Sequence, residues 1–364
     1  MKKVKPFWLA GYLLTFLAGS CSTDAESEAM DVPSRNFSMG FTTWSFGPNL
    51  QDVNDTYDFI GANADVYIEH LDGTIPWNAY INDLPLPSEF TNEMQGKASR
   101  RIPNKDLVLS IGLLNNNRDN LEADFDGSVP AYNQLNDVVI VDAYDQHVNY
   151  LLNLFVPDYL VIAIEVNELR LRNPALWEGY VLLINQVIER TRMIFPDLKI
   201  SISISLHNLF EPNIAAAQTY INDVFDHVNQ MDFVAISYYP FLKNQRTVDA
   251  FQATLDFLHD NTSKPIALVE SGHIAEDLLV PNLNVDINGS ATEQNAFLKT
   301  LFTNAQTQNY EMVVWWAHRD YDALWEVFPT EVRDIGQLWR DTGLLDENGS
   351  ARPALITWEN TFFE

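Results

Sequence analysis

Glu168 and Glu270 each stand at the downstream end of an apolar run. The first run is Tyr159-Leu160-Val161-Ile162-Ala163-Ile164-Glu165-Val166, closed by Asn167-Glu168, and the second is Lys264-Pro265-Ile266-Ala267-Leu268-Val269, closed by Glu270. Two converging carboxyl groups can break a glycosidic bond: one protonates the leaving oxygen and the other attacks the anomeric carbon. Asn167 can donate to a hydroxyl beside the reacting carbon. Tyr238, at the end of another apolar run, can hydrogen-bond Glu270 and keep it ionised. Glu165 lies in the same run as Glu168 and can carry the proton instead. Side chains alternate along a strand, so the two acids point opposite ways if regular geometry continues. Glu168 is preferred because it lies nearer the end at which a parallel barrel opens.

Other side chains fall at the same level. Trp44 and Trp316 end apolar runs and offer flat faces for sugar rings, whereas Trp77 and Trp315 suit core packing better. His70, His207, His273 and His318 all follow strand ends, and His70, His207 and His318 are taken as polar contacts to substrate. Their spacing does not place two imidazoles on one helical face, and no metal is expected. Asp320-Tyr321-Asp322 offers only two acids toward calcium. The chain lacks a glycine-rich phosphate loop and a nucleophile elbow, so no cofactor is expected.

These residues need a scaffold that brings distant strand ends together. From residue 36 onward, short apolar runs alternate with helical patterns about eight times, which predicts a single (β/α)8 TIM barrel over residues 36–364. Strands are expected near 37–44, 64–69, 106–112, from 159 onward, 198–206, 232–238, 264–270 and 311–316. Glu168 and Glu270 then end the fourth and seventh strands, which face each other across the mouth. The polar stretch 115–137 is too long for a plain connection and is placed over that mouth. Pro174 and Pro196 bracket one helix, and Ser290-Ala291-Thr292-Glu293 reads as a capping box for another.

The chain has 50 acidic and 22 basic side chains, a formal charge of −28. That balance argues against nucleic acid and against acidic polymers, and leaves a neutral glycan as the expected partner of a monomer. Residues 1–20 have the layout of an export signal: three lysines, an apolar core and small residues. They lead to Cys21, the only cysteine. Cys21 is therefore read as a lipid-attachment site, residues 21–35 as a disordered tether, and the protein as an exported bacterial lipoprotein of the outer membrane, cell surface or periplasm. Contact with the membrane is expected only through that anchor.

The constellation resembles clan A of the glycoside hydrolases and, within it, family 53, the endo-β-1,4-galactanases. The residues that carry the likeness are Val166-Asn167-Glu168, Ser237-Tyr238-Tyr239-Pro240-Phe241 and Val269-Glu270-Ser271-Gly272, with Gly343-Leu344-Leu345-Asp346 before the last helix. The resemblance implies Glu168 as acid/base, Glu270 as nucleophile, a retaining mechanism and a β-galactan or arabinogalactan among the substrates. Where clan members carry an arginine near the end of strand two, this chain has Glu69-His70-Leu71-Asp72. Two further readings share the fold: a non-catalytic glycan-binding surface lipoprotein, and a transglycosylase using the same residues.

Overall fold

The computed structural model describes residues 35–308 and 310–363. The expected export signal, Cys21 and nearly all of the expected tether lie outside the described residues. Eight parallel strands form the barrel: β1 (Ser38–Thr42), β2 (Val66–Leu71), β3 (Asp106–Ile111), β4 (Tyr159–Val161), β5, β6 (Val234–Tyr238), β7 (Ile266–Ser271) and β8 (Met312–Trp315). Strand β5 has two segments, Lys199–Ser201 and Ser203–Ser205. Its first segment pairs with β4 and its second with β6, while β1 pairs with both β2 and β8, so the ring closes. Eight principal helices follow the strands: α1 (Leu50–Asn63), α2 (Ser88–Ala98), α3 (Val138–Phe155), α4 (Trp177–Ile194), α5 (Ala217–Val228), α6 (Val248–Asn261), α7 (Ala291–Gln308) and α8 (Pro353–Phe363).

The period of two along each strand sorts side chains into two cores. Val66, Ile68, Val108, Val161, Phe233, Ala235, Ala267, Val269, Met312 and Val314, from six strands, make one buried cluster inside the barrel. The intervening residues, such as Tyr67, Leu109, Leu160, Ile236, Leu268 and Val313, join the helices in the larger cluster outside it. Burial on both sides explains why the strands read as continuous apolar runs. Helix α8 seals the ring beside β1, with the Trp358 ring 4.3 Å from that of Phe41 and its indole N–H donated to the Asn63 carbonyl at 2.9 Å.

Several local features depart from the sequence expectation. Regular strand β4 ends at Val161, and Asn167–Arg172 forms a short helix instead of a strand end. Ser290 accepts from the Thr292 amide, but Glu293 turns away to pair with Arg246 at 2.9 Å, so the expected capping box is incomplete. An antiparallel hairpin, Leu278–Val280 with Val285–Ile287, sits between β7 and α7. The long connection after β3 folds through a bridge between Leu114 and Leu121 and does reach the barrel mouth, where it delivers Arg118.

Candidate active site

Glu270 reaches the mouth because β7 carries a bulge. Ile236 pairs with Leu268 but Ser237 pairs with Glu270, leaving Val269 as an extra residue. Simple alternation would put Glu270 on the helix side with Ile266 and Leu268; the inserted residue reverses that. Its carboxylate is buried, accepts from the Tyr239 hydroxyl at 3.1 Å and lies 3.4 Å from His70 Nδ1.

Glu165 comes to the same place by another irregularity. Past Val161 the chain stays tied to β5, with the Glu165 amide donating to Ser203 Oγ at 2.9 Å and the Val166 amide to the Ser203 carbonyl at 3.0 Å. Glu165 itself adopts φ 51°, a left-handed conformation that costs a non-glycine residue about 1–3 kcal/mol. Its carboxylate lies 3.5 Å from the guanidinium of Arg118, which also binds Asp72 through both terminal nitrogens, at 3.1 and 2.5 Å. Asp72 fits closely because residue 112 is glycine: a Cβ there would stand 2.3 Å from Asp72 Oδ1. His70 Nε2 is 4.0 Å from Asp72, which completes a chain of polar groups from Glu165 through Arg118, Asp72 and His70 to Glu270.

Glu168, expected to pair with Glu270, has its own set of partners. Glu168 sits in the first turn of the short helix, where Arg172 donates to one oxygen at 3.0 Å and Asn208 to the other at 2.7 Å. Asn167 serves the scaffold. Fully buried, it accepts from the Ser205 amide at 2.7 Å and donates to the Ser205 carbonyl at 3.2 Å and to the Tyr220 hydroxyl at 2.9 Å. Its amide clips the segment to the end of β5 and has no hydrogen left for a sugar. Tyr238 points to the helix side, against Phe297, and donates to Gln245 at 3.1 Å. Its neighbour Tyr239 takes the role expected of it.

The histidines divide. His70 is at the carboxylates, and burial pushes it down to about 4, so its ring is neutral at ordinary pH. His207 lies beneath Tyr239, whose amide approaches Nδ1 at 3.4 Å, and burial lowers it to about 3. It supports Tyr239 from below. His318 is packed between Phe59, at 4.7 Å, and Phe46, and contributes to the core instead of the mouth. Trp44 and Trp316 lie side by side with centroids 5.4 Å apart, and Trp316 meets the His70 ring edge-to-face at 5.2 Å. Both indole N–H groups are buried without a protein partner. Trp77 and Trp315 are core residues bonded to the carbonyls of Glu122 and Thr342.

Glu165 raises Glu270, and each is also shifted by its own surroundings. Burial, then the Glu168 and Asp72 charges, raise Glu165 to about 6 against the pull of Arg118. Burial, Glu165 and Asp72 raise Glu270 well above the usual carboxylate range, opposed by Arg118 and the Tyr239 hydrogen bond. Close carboxylates in a low dielectric do not readily ionise together, so the pair holds a proton into the neutral range. Two acidic groupings away from these carboxylates, Glu276–Asp320–Glu347 and Asp320–Asp322–Asp341, have metal-like spacing. Arg352 already neutralises the first, at 2.5 Å from Glu276 and 2.7 Å from Asp320, and Arg340 the second, at 2.8 Å from Asp341.

A parallel barrel with carboxylates gathered at its C-terminal mouth is the architecture of the clan A glycoside hydrolases. The model of glycosyl hydrolase family 53 matches residues 160–358, and the chain belongs to that family. It is a glycoside hydrolase. Among solved structures, a family 53 catalytic domain from Ignisphaera aggregans is 17% identical with a TM-score of 0.56, covering 86% of this chain and 89% of that one. The GH5_18 enzyme of Bifidobacterium longum with Manβ1-4GlcNAc is 13% identical with a TM-score of 0.61, covering 89% and 77%. A β-glucuronidase from an uncultured Clostridium is 12% identical with a TM-score of 0.56, covering 90% of this chain and 50% of its own, so this chain spans about half of that enzyme. At these identities the likeness is one of fold. No curated protein matches the sequence.

Proposed function

We propose that the protein hydrolyses a glycan of neutral backbone with retention of configuration, Glu270 acting as nucleophile and Glu165 as acid/base. The observation that carries this reading is the polar chain Glu165–Arg118–Asp72–His70–Glu270 across the mouth. Glu165, protonated into the neutral range, gives its proton to the leaving oxygen while Glu270 attacks the anomeric carbon and forms a glycosyl ester. The Glu165 carboxylate then takes a proton from water, which opens the ester and returns both acids to their starting state. Tyr239 orients one oxygen of Glu270, and neutral His70 faces the other. The unpartnered indoles of Trp44 and Trp316 supply stacking faces and donors for the sugar.

The family resemblance makes β-1,4-galactan and arabinogalactan the first substrates to assay. Product analysis on a panel of neutral glycans with Glu165→Ala, Glu168→Ala and Glu270→Ala tests the roles. Removing an acid/base typically costs about 10²–10⁴-fold. Activated aryl glycosides need no protonation to depart, so the ester-forming step should survive in Glu165→Ala and fail in Glu270→Ala. Loss in Glu168→Ala with normal turnover in Glu165→Ala would reverse the acid/base assignment.

An exported lipoprotein anchored through Cys21 is part of the same proposal. Its support is the sequence of the first twenty-one residues. Among the described residues no helix is long and apolar enough to cross a membrane. Cys21→Ser should shift the protein out of the detergent-soluble membrane fraction and abolish incorporation of labelled fatty acid.

A further inference from the structure

Beside the carboxylates, on the far side of the His70 ring, lies a second cavity of about 440 Å³. It opens between the segment after β1 and helix α2, and its wall includes Trp44, His70, Asn92, Glu93, Lys97 and Arg100. The volume is within the range of small-ligand sites. Two of these residues are shared with the proposed reaction centre: His70 faces Glu270, and Trp44 packs on Trp316. A saccharide held at the carboxylates therefore has this cavity as its immediate neighbour.

Two cations stand out in a lining that is otherwise largely apolar. Lys97 and Arg100 bring two cations to one wall in a chain with a net charge of −28. Arg100 is held by the Gly96 carbonyl at 2.7 Å and lies over the Tyr57 ring, so its position is set before any ligand arrives. The nearest counter-charge to Lys97 is Glu69, at 3.9 Å, on the outward face of β2. Both Glu69 oxygens already accept from the Tyr57 and Thr43 hydroxyls, so the contact with Lys97 is long and shared. Lys97 is thus poorly compensated. The Trp44 indole N–H is buried with no acceptor. Glu93 is the one acidic side chain in the lining, and it is exposed at the rim.

We propose that this cavity is a specificity site for a carboxylate-bearing sugar, a uronic acid carried as a substituent on the neutral glycan backbone. The carboxylate accepts from Lys97 and Arg100 while the sugar ring lies against Trp44. A polyanionic glycan would be repelled by the molecule as a whole, whereas one acidic branch meets a local pair of cations. The inference rests on the placement of the backbone at Glu165 and Glu270, but it can be tested without turnover.

The test uses monosaccharides, which contain no glycosidic bond to break. D-Glucuronate against D-glucose, and D-galacturonate against D-galactose, are titrated into the full chain while the Trp44 indole N–H resonance is followed by NMR, with Trp44→Phe providing its assignment. At least one uronate should bind about tenfold more tightly than its neutral hexose and shift that resonance. Lys97→Met and Arg100→Met should erase the preference, and Lys97→Arg, which keeps the charge, should retain it. Equal affinity within both pairs, no shift with either uronate, or a preference that survives both methionine variants would overturn the proposal. Failure of the parent to cleave any glycan would instead count against the hydrolase mechanism and leave this result standing.

Discussion

Glu165 illustrates how much one side chain's role depends on its backbone. Its left-handed φ and its partial burial are both unfavourable, and together they hold its carboxyl against the Arg118 guanidinium that also binds Asp72. Because its folded-state pKa is raised, to about 6 from an ordinary 4.5, folding favours the neutral acid. Stability from this group is fully present below the unfolded value and is lost as pH climbs through about 6. Glu165→Gln should therefore stabilise the fold at pH 8 by about 1–2 kcal/mol, seen as a higher melting temperature, and leave it nearly unchanged at pH 4. Melting curves at the two pH values check this; a gain equal at both would mean that the charge is not the cause. Tyr239→Phe should lower kcat and displace the limb of the pH–rate profile assigned to Glu270 upward, because a hydrogen bond to the ionised form is lost. Tyr238→Phe, which touches Gln245, should leave that limb in place.

At the scale of elements, the short helix Asn167–Arg172 and the end of β5 act as one unit. Asn167 satisfies the Ser205 amide and carbonyl and the Tyr220 hydroxyl, all buried. Asn167→Ala leaves these groups without partners and should destabilise the fold by about 1–3 kcal/mol per orphaned group that water cannot reach. It should also reduce turnover by loosening the segment that carries Glu165, with the pH profile retained. Chemical denaturation and a pH–rate curve on the same variant separate the two effects. The bulge at Val269, which interrupts β7, and the left-handed turn at Glu165, past the end of β4, are likewise element-scale devices that set where an acid side chain points.

For the whole molecule, a net charge of −28 implies self-repulsion that opposes the compact state. Raising sodium chloride from about 10 mM to about 0.5 M shortens the screening length from roughly 30 Å to a few ångströms and should raise the melting temperature by a few degrees. A fall with salt would show that attractive ion pairs outweigh the repulsion. Ring closure depends on the two chain ends of the barrel meeting at β1 and β8, with α8 packed over the seam. Trp358→Ala removes the contacts with Phe41 and Asn63 and should cost about 3–5 kcal/mol, measured as a reduced denaturant midpoint.

The barrel was legible in the chain because burial on both faces writes each strand as an apolar run, and each of the eight runs is found close to its expected place. Glu270 was legible for the same reason, as an acid at the end of such a run. Glu165 was visible only as an alternative, and Arg118, Asp72 and Tyr239 were not picked out. Arg118 comes from a connection whose local sequence has no period, and it meets Asp72 from β2 and Glu165 from β4 only after the ring has closed. Periodicity reports which face of a regular element is apolar; it says nothing about where that regularity stops. Sequence alone therefore determined the architecture and the class of chemistry, and marked Glu165, Glu168 and Glu270 as candidate acids. Tertiary structure decided which groups meet at the mouth, because a left-handed residue and a bulge re-aim side chains through hydrogen bonds to neighbouring strands that no local pattern encodes.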